Sequence, residues 1–161
     1  MIKKFNILLI TFFTIGKIKY APGTIASLIT CLLFLFLINI LDILFLLFLA
    51  LIIFCYSIFA INNSFGEFKS EDPQEIVIDE VVGQMMPLIA IPIYETLYPL
   101  PILYYCVASF LLFRLFDILK PYPVSYVDNN VKGALGIMLD DILAGLYAIT
   151  TLIIIFFFIG A

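Results

Sequence analysis

Long apolar runs broken by short polar stretches dominate this chain. Behind Lys3 and Lys4, the run from Phe5 to Ile15 is short for a membrane span of roughly 20 residues. No small-residue cleavage site follows it, so it reads as an interfacial or half-buried helix. Ile25 to Leu41 and Ile43 to Ile61 are apolar and separated only by a turn at Asn39 to Asp42, which predicts a helical hairpin. Asn62 to Asp72 (NNSFGEFKSED) reads as a polar, acidic loop. Pro73 suits the first turn of a further helix. Met85 to Tyr94 is apolar but holds Pro87 and Pro92, which predicts either a kinked span or a re-entrant segment. Glu95 to Pro101 is a turn. Ile102 to Leu119 is another apolar run, and Pro121 places its end near Lys120. Tyr122 to Leu139 reads as a polar connection, with Asp140 and Asp141 opening a last helix from Ile142 to Ile159.

These runs are continuous rather than alternating, so they predict helices, not the strands of a membrane barrel. The expected fold is all-α: one domain over residues 1–161, a compact bundle of four to five spans plus an interfacial N-terminal helix. Composition agrees, with 65% hydrophobic and 12% charged residues against roughly 45–50% and 25% in soluble domains. Lys3, Lys4, Lys17 and Lys19 cluster before residue 20 and place that end in the cytoplasm by the positive-inside rule. With a net charge of −4 and no basic patch, a nucleic-acid partner is not expected. No obligate protein partner is evident. The chain has no histidine, which removes imidazole acid–base chemistry and phosphohistidine intermediates. Cys31, Cys55 and Cys106 lie in apolar runs and are expected to be buried and inert. Catalysis therefore falls to carboxylates, Lys, Arg, hydroxyls or a metal.

The charged residues interrupt the oily runs at particular places. Asp79 and Glu80 sit among Ile76, Val77, Ile78, Val81 and Val82. Adjacent acids in apolar surroundings repel unless a cation compensates, which favours metal ligation over a merely solvated helix end. Oxygen-only donors favour Mg²⁺. Arg114 and Asp117 are three apart on one helical face, where they can pair with each other or serve a ligand. Lys120 suits a helix C-terminus, so capping is its bland role. Asp140 and Asp141 would suit a helix start by themselves, but Gly145 one turn on allows a close approach. Ala21-Pro22-Gly23-Thr24 marks a turn into a helix. Thr24 or Ser27 can cap it, or its free N–H groups can face a phosphate. If 85–94 crosses, the spans are 25–41, 43–61, 82–94, 102–119 and 141–160, and every one of these groups falls on the cytoplasmic side.

At these residues the chain resembles the phosphatidylglycerophosphatase A family of bacterial lipid phosphatases. The resemblance rests on Ala21-Pro22-Gly23-Thr24 with Ser27, and on Asp72-Pro73 with Ile76 to Gly83. It rests most on Phe113 to Pro121 with Pro123, continuing through Gly133, Gly136, Asp140-Asp141 and Ala144-Gly145. Departures are Thr14 and Lys19 where Gly and Pro are expected, Ala26 and Ala134 in place of Gly, and Tyr122 in place of Trp. The resemblance implies a Mg²⁺-dependent monoesterase at the cytoplasmic face of the inner membrane, acting on the membrane phospholipid phosphatidylglycerophosphate. On it, Asp79, Glu80, Asp140 and Asp141 are expected to bind metal, with Asp117 completing or orienting the shell. Arg114 and Lys120 are expected to hold phosphoryl oxygens, helped by the N–H groups near Gly23 and Thr24 and by Ser27. Water activated by the ion is the favoured nucleophile, and an aspartyl-phosphate stays open. A lipid-headgroup transferase lacks its spaced aspartates here. A small ion-coupled transporter predicts charges at mid-span, and a non-catalytic membrane subunit has no need for converging acids.

Overall fold

The computed structural model of the chain describes residues 2–68 and 73–160, and these are helical with no strand among them. The order is α1 (Ile2–Ile10), a 3₁₀ turn at Ile15–Lys17, α2 (Pro22–Leu37), α3 (Ile43–Ser64), and a 3₁₀ turn at Phe65–Glu67. Then come α4 (Ile78–Ile89), α5 (Ile91–Leu97), α6 (Ile102–Leu119), α7 (Val124–Asn130) and α8 (Ala134–Gly160). Helices α3, α6 and α8 are each long and apolar enough to cross a membrane. The outward faces carry large apolar side chains such as Leu44, Phe48, Leu111 and Phe157, as a lipid-bathed bundle requires.

Apart from a small cluster of Phe113, Ala144 and Ala148, the buried apolar side chains fall into two layers that define two ends. Ile10, Ala26, Ile61, Val77, Val82 and Met138 pack together at one. Phe34, Leu46, Leu88, Tyr94, Tyr105 and Phe156 pack at the other. Helix α2 therefore runs from the first end to the second, α3 returns, α4–α5 goes back, α6 returns, and α8 completes the circuit. This is the five-legged arrangement that the apolar runs imply if 85–94 counts as a leg.

That leg is broken. Pro87 lies inside α4, and α5 starts with Pro92 just past its first residue. Each proline lacks an N–H, so the i→i−4 ladder fails and the two helices meet at Ala90. The Ser109 hydroxyl on α6 points to the Pro87 carbonyl at 3.5 Å, a weak contact.

Several boundaries differ from the apolar reading: α1 stops at Ile10, Pro73 precedes α4 rather than starting it, and α5 carries helix to Leu97 across the start of the expected turn. Helix α3 runs to Ser64, so Asn62 and Asn63 are helical and not loop. Val124–Asn130 forms a short helix inside the supposed connection. Most consequentially, α8 begins at Ala134, so Asp140 and Asp141 lie two turns inside it. Gly133 and Gly136 read as loop residues, but only Gly133 adopts a positive φ, of 79°. Gly136 is helical, and a Cβ on it would fall 1.9 Å from the Val131 carbonyl. It is a packing contact, and Ala134, Leu135, Ile137 and Met138 around it are good or tolerable helix formers.

Helix α1 braces the acidic end. Its buried Asn6 accepts a hydrogen bond from the Tyr56 hydroxyl at 2.9 Å. The Ile10 carbonyl accepts from Val77 N–H at 3.0 Å, which ties α1 to the residue that precedes α4. Of the cysteines, Cys31 and Cys106 are buried as expected, but Cys55 is exposed on the outer face of α3.

Candidate active site

A cavity of about 520 Å³ opens at the acidic end. Helix α4 brings Asp79 and Glu80 in its first turn, and α8 brings Asp140 and Asp141 from its second turn. Helix α6 brings Arg114 and Asp117 in its last turns, and the start of α2 brings Gly23 and Thr24. These elements meet because glycines let them approach. A Cβ on Gly145 would fall 2.7 Å from the Gly83 carbonyl, and one on Gly83 would fall 2.8 Å from the Asp141 carbonyl. So α4 and α8 cross almost backbone to backbone, which sets the Asp79-Glu80 pair against Asp141.

The result is an acidic cluster. One carboxylate oxygen each from Asp79, Glu80 and Asp141 lie within 4.8 Å of one another. Asp79 Oδ1, Glu80 Oε2 and Asp141 Oδ2 are buried, with no hydrogen-bond partner among the described residues. Buried carboxylate oxygens left unpaired are costly. Asp141 also lies beyond the first turn of its helix, where free N–H groups would have favoured it. A cation is what this donor set fits. Three oxygen donors at such spacing can hold a hard divalent ion.

The other two predicted ligands are already engaged. Asp117 Oδ2 lies 2.5 Å from Arg114 Nη1, and Glu80 Oε1 lies 3.9 Å from the same nitrogen. Asp140 Oδ2 accepts from Lys120 Nζ at 2.7 Å, and its Oδ1 accepts from Asp141 N–H at 3.1 Å. Asp117 and Asp140 therefore stand beside the trio rather than in it. Arg114 Nη1 is held by Asp117, while Nε has no hydrogen-bond acceptor among the described residues. That Nε–H is free to meet an incoming oxygen.

Lys120 ends α6 with φ 43° and ψ 58°, in the left-handed region. Pro121 disfavours the right-handed helical conformation for the residue before it, and a non-glycine residue held this way costs about 1 kcal/mol or more. Its ammonium is clamped by Asp128 at 2.5 Å and by Asp140. Burial alone would weaken the ammonium, but the hydrogen bonds it donates to Asp128 and Asp140 outweigh it and raise its affinity for the proton. Lys120 is thus a fixed positive charge at any physiological pH.

At the start of α2, Ala21 takes the N-cap position with no side-chain cap. Thr24 does not cap, and it lines the cavity. Ser27 does neither. It is buried, outside the cavity lining, and its hydroxyl donates to the Gly23 carbonyl at 2.9 Å. Pro22 has no N–H, and Ile25 N–H already bonds the Ala21 carbonyl at 3.1 Å. The N–H groups of Gly23 and Thr24 therefore have no partner in the preceding turn. Asp72 lies outside the described residues.

A family model described as "Phosphatidylglycerophosphatase A" matches residues 8–156. The chain belongs to that family. A Bacteroides thetaiotaomicron protein, provisionally named a phosphatidylinositol-3-phosphatase, is 34% identical over 88% of this chain and 87% of its own length. A Haemophilus influenzae protein named Phosphatidylglycerophosphatase A is 37% identical over 83% of this chain and 78% of its own length. The Escherichia coli K12 protein of the same name is 30% identical over 81% and 71%. No solved structure matches.

The phosphatidylglycerophosphatase A fold also brings in cavity residues that sequence reasoning passed over: Asp128, Lys19, Lys132 and Gln74. Asp128 lies on α7, which the sequence suggests is loop. Lys19 belongs to the N-terminal lysine cluster, which masks its place in the cavity.

Gly23 offers a sharp test of the crossing at α2. A Cβ there would fall 1.8 Å from Glu80 Oε1 and 3.3 Å from Arg114 Nη1. Gly23→Ala is expected to displace the Glu80 carboxylate and lower turnover by about 10²-fold, the scale of a roughly 1 Å misplacement. Phosphate release by the purified variant, with circular dichroism confirming its helices, checks this.

Proposed function

We propose that this membrane protein removes the terminal phosphate of phosphatidylglycerophosphate, giving phosphatidylglycerol and inorganic phosphate, with Mg²⁺ held by Asp79, Glu80 and Asp141. The observation that carries the reading is the set of three buried carboxylate oxygens with no partner among the described residues, in one cavity with an Arg114 Nε that also lacks an acceptor. Its charged lining has six carboxylates against four cations, an excess that one divalent ion offsets. When bound, the ion supplies charge neutralisation and Lewis acidity.

The chain's own groups then have definite tasks. Phosphoryl transfer needs charge stabilisation and alignment more than covalent chemistry. Arg114 presents Nε to a phosphoryl oxygen, and the N–H groups of Gly23 and Thr24 supply neutral donors at a helix start. Asp117 holds the guanidinium in place through Nη1. Lys120 neutralises Asp140, and Asp128 fixes Lys120. The apolar helices hold the diacyl tail and leave the headgroup at the interface. Membership of the family and the lysine-rich N-terminus support several crossings of the bacterial inner membrane, with the cavity facing the cytoplasm.

A transporter would spread its charges along a path through the bundle. Here the far end is closed by the aromatic packing of Tyr94, Tyr105 and Phe156, with ring centroids 5.3–6.1 Å apart. The test is release of inorganic phosphate by purified protein from phosphatidylglycerophosphate and, in parallel, from phosphatidylinositol 3-phosphate. Both are lipid phosphate monoesters, so the comparison separates the two activities named among the relatives. Preferred turnover of phosphatidylglycerophosphate is expected. Release only from the inositol lipid would overturn the substrate assignment, and release from neither would overturn the phosphatase reading.

A further inference from the structure

We propose that Lys19 and Lys132 form a second anion subsite at the cavity rim, which takes the phosphodiester of the same lipid headgroup while the acid centre takes the terminal phosphate. This rests on the phosphatase reading above. The substrate's name fixes its chemistry: a phosphatidyl diester and a terminal monoester separated by one glycerol. Both phosphates are anionic. An enzyme that places the monoester among six carboxylates must also tolerate the diester close by.

The cavity's four cations divide into two kinds. Arg114 and Lys120 are ion-paired with Asp117, Asp128 and Asp140. Lys19 and Lys132 line the same cavity, are exposed, and have no carboxylate within ion-pairing distance among the described residues. They come from separate connections whose backbones are anchored. Lys19 stands just before Ala21 and Pro22. Upstream of it, Gly16 is pressed so close to the Glu75 carbonyl that a Cβ would fall 1.9 Å away. Lys132 precedes Gly133, whose carbonyl accepts the first bond of α8 from Ile137 N–H at 3.2 Å. Flexible ammonium groups suit a diester that reaches the rim at varying tilt as the lipid moves, whereas the planar Arg114 fork suits the aligned reacting group. Lys19 also borders an adjoining cavity of about 770 Å³ that Lys17 lines and Lys132 does not. Lys17 is therefore a matched control: an exposed lysine two residues away, outside the acid-lined cavity.

The experiment uses the full chain in phosphatidylcholine vesicles, so that no other anionic lipid is present. In the Lys19→Ala, Lys132→Ala double variant, KM for phosphatidylglycerophosphate is expected to rise about tenfold while kcat stays within twofold. Inhibition by inorganic phosphate, which carries no diester, should be unchanged, and arginine at both positions should restore KM. An unchanged KM overturns the subsite. So does an equal rise in Lys17→Ala, which would point to general attraction of anionic lipid, or a parallel loss of phosphate inhibition. If the wild type hydrolyses no phosphatidylglycerophosphate, the phosphatase reading fails separately. Equilibrium binding of that lipid to wild type and double variant then still decides the subsite: weaker binding in the double variant upholds it, and equal binding ends it.

Discussion

Asp141→Asn is expected to lower kcat by about 10³-fold, the upper range for losing one preorganised charged group at a reacting centre, while the helices stay intact. The exchange keeps shape and volume, so α8 has no steric reason to move. What changes is charge at an atom with no partner: Asp141 Oδ2 is buried and unbonded among the described residues. Asparagine can still offer one oxygen but no longer neutralises a cation. Without divalent ion the variant is expected to be no less stable than wild type, because one of three crowded acids has been neutralised. A structural aspartate would behave oppositely, with stability and activity falling together. Steady-state phosphate release and thermal unfolding, measured on the same preparation, separate the two. A variant within tenfold of wild-type kcat would remove Asp141 from the centre.

The legs of the bundle were legible because apolar runs in lipid have few ways to satisfy their backbones. The ends of the runs at Leu119 and near Asn39 fell where proline and polar residues put them. The site was legible for a related reason: charge is costly in an oily chain, so Asp79, Glu80, Arg114, Asp117, Lys120, Asp140 and Asp141 stood out. Counting the legs brought them to one end.

What could not be read was local. Glycine carries the same letter whether it turns the chain, as at Gly133, or lets two backbones touch, as at Gly136 and Gly145. Reading Gly136 as a loop residue moved the start of α8 to Asp140 and gave both aspartates a helix-start explanation they do not have. Their true position deprives them of the dipole's help and makes the cation more necessary. Division of labour among the acids was hidden too. Nothing in the spacing says that Asp117 and Asp140 pair with Arg114 and Lys120 while Asp141 stays free. That follows from which face of α8 meets α4, and so from Gly83 and Gly145. Ser27 looked like a cap or phosphate ligand because a serine near a helix start often is one. Here it faces inward and spends its proton on the Gly23 carbonyl.

Removing divalent ions with EDTA is expected to abolish phosphate release and also to lower the unfolding temperature, and the second effect is the more telling. Any ion that binds the native trio and not the unfolded chain stabilises the fold by RT ln(1 + [ion]/Kd), about 2.7 kcal/mol at a hundredfold excess over Kd. For a domain of this size that corresponds to a rise of about 5–10 °C. The sign follows from the geometry. Without the ion, three crowded carboxylates either repel or take up protons, and both weaken the native state. With it, their orphaned oxygens acquire a partner. Asp79→Asn and Asp141→Asn should each lose most of the ion-dependent rise. Asp128→Asn should keep it, because Asp128 lies with Lys120 outside the trio. Mg²⁺ is expected to restore activity best among hard ions, with Ca²⁺ binding but supporting turnover poorly, since the larger ion takes more ligands at longer distances. Full activity in EDTA, or an unfolding temperature indifferent to Mg²⁺ in wild type and variants alike, would leave the clustered acids without the cation that explains them.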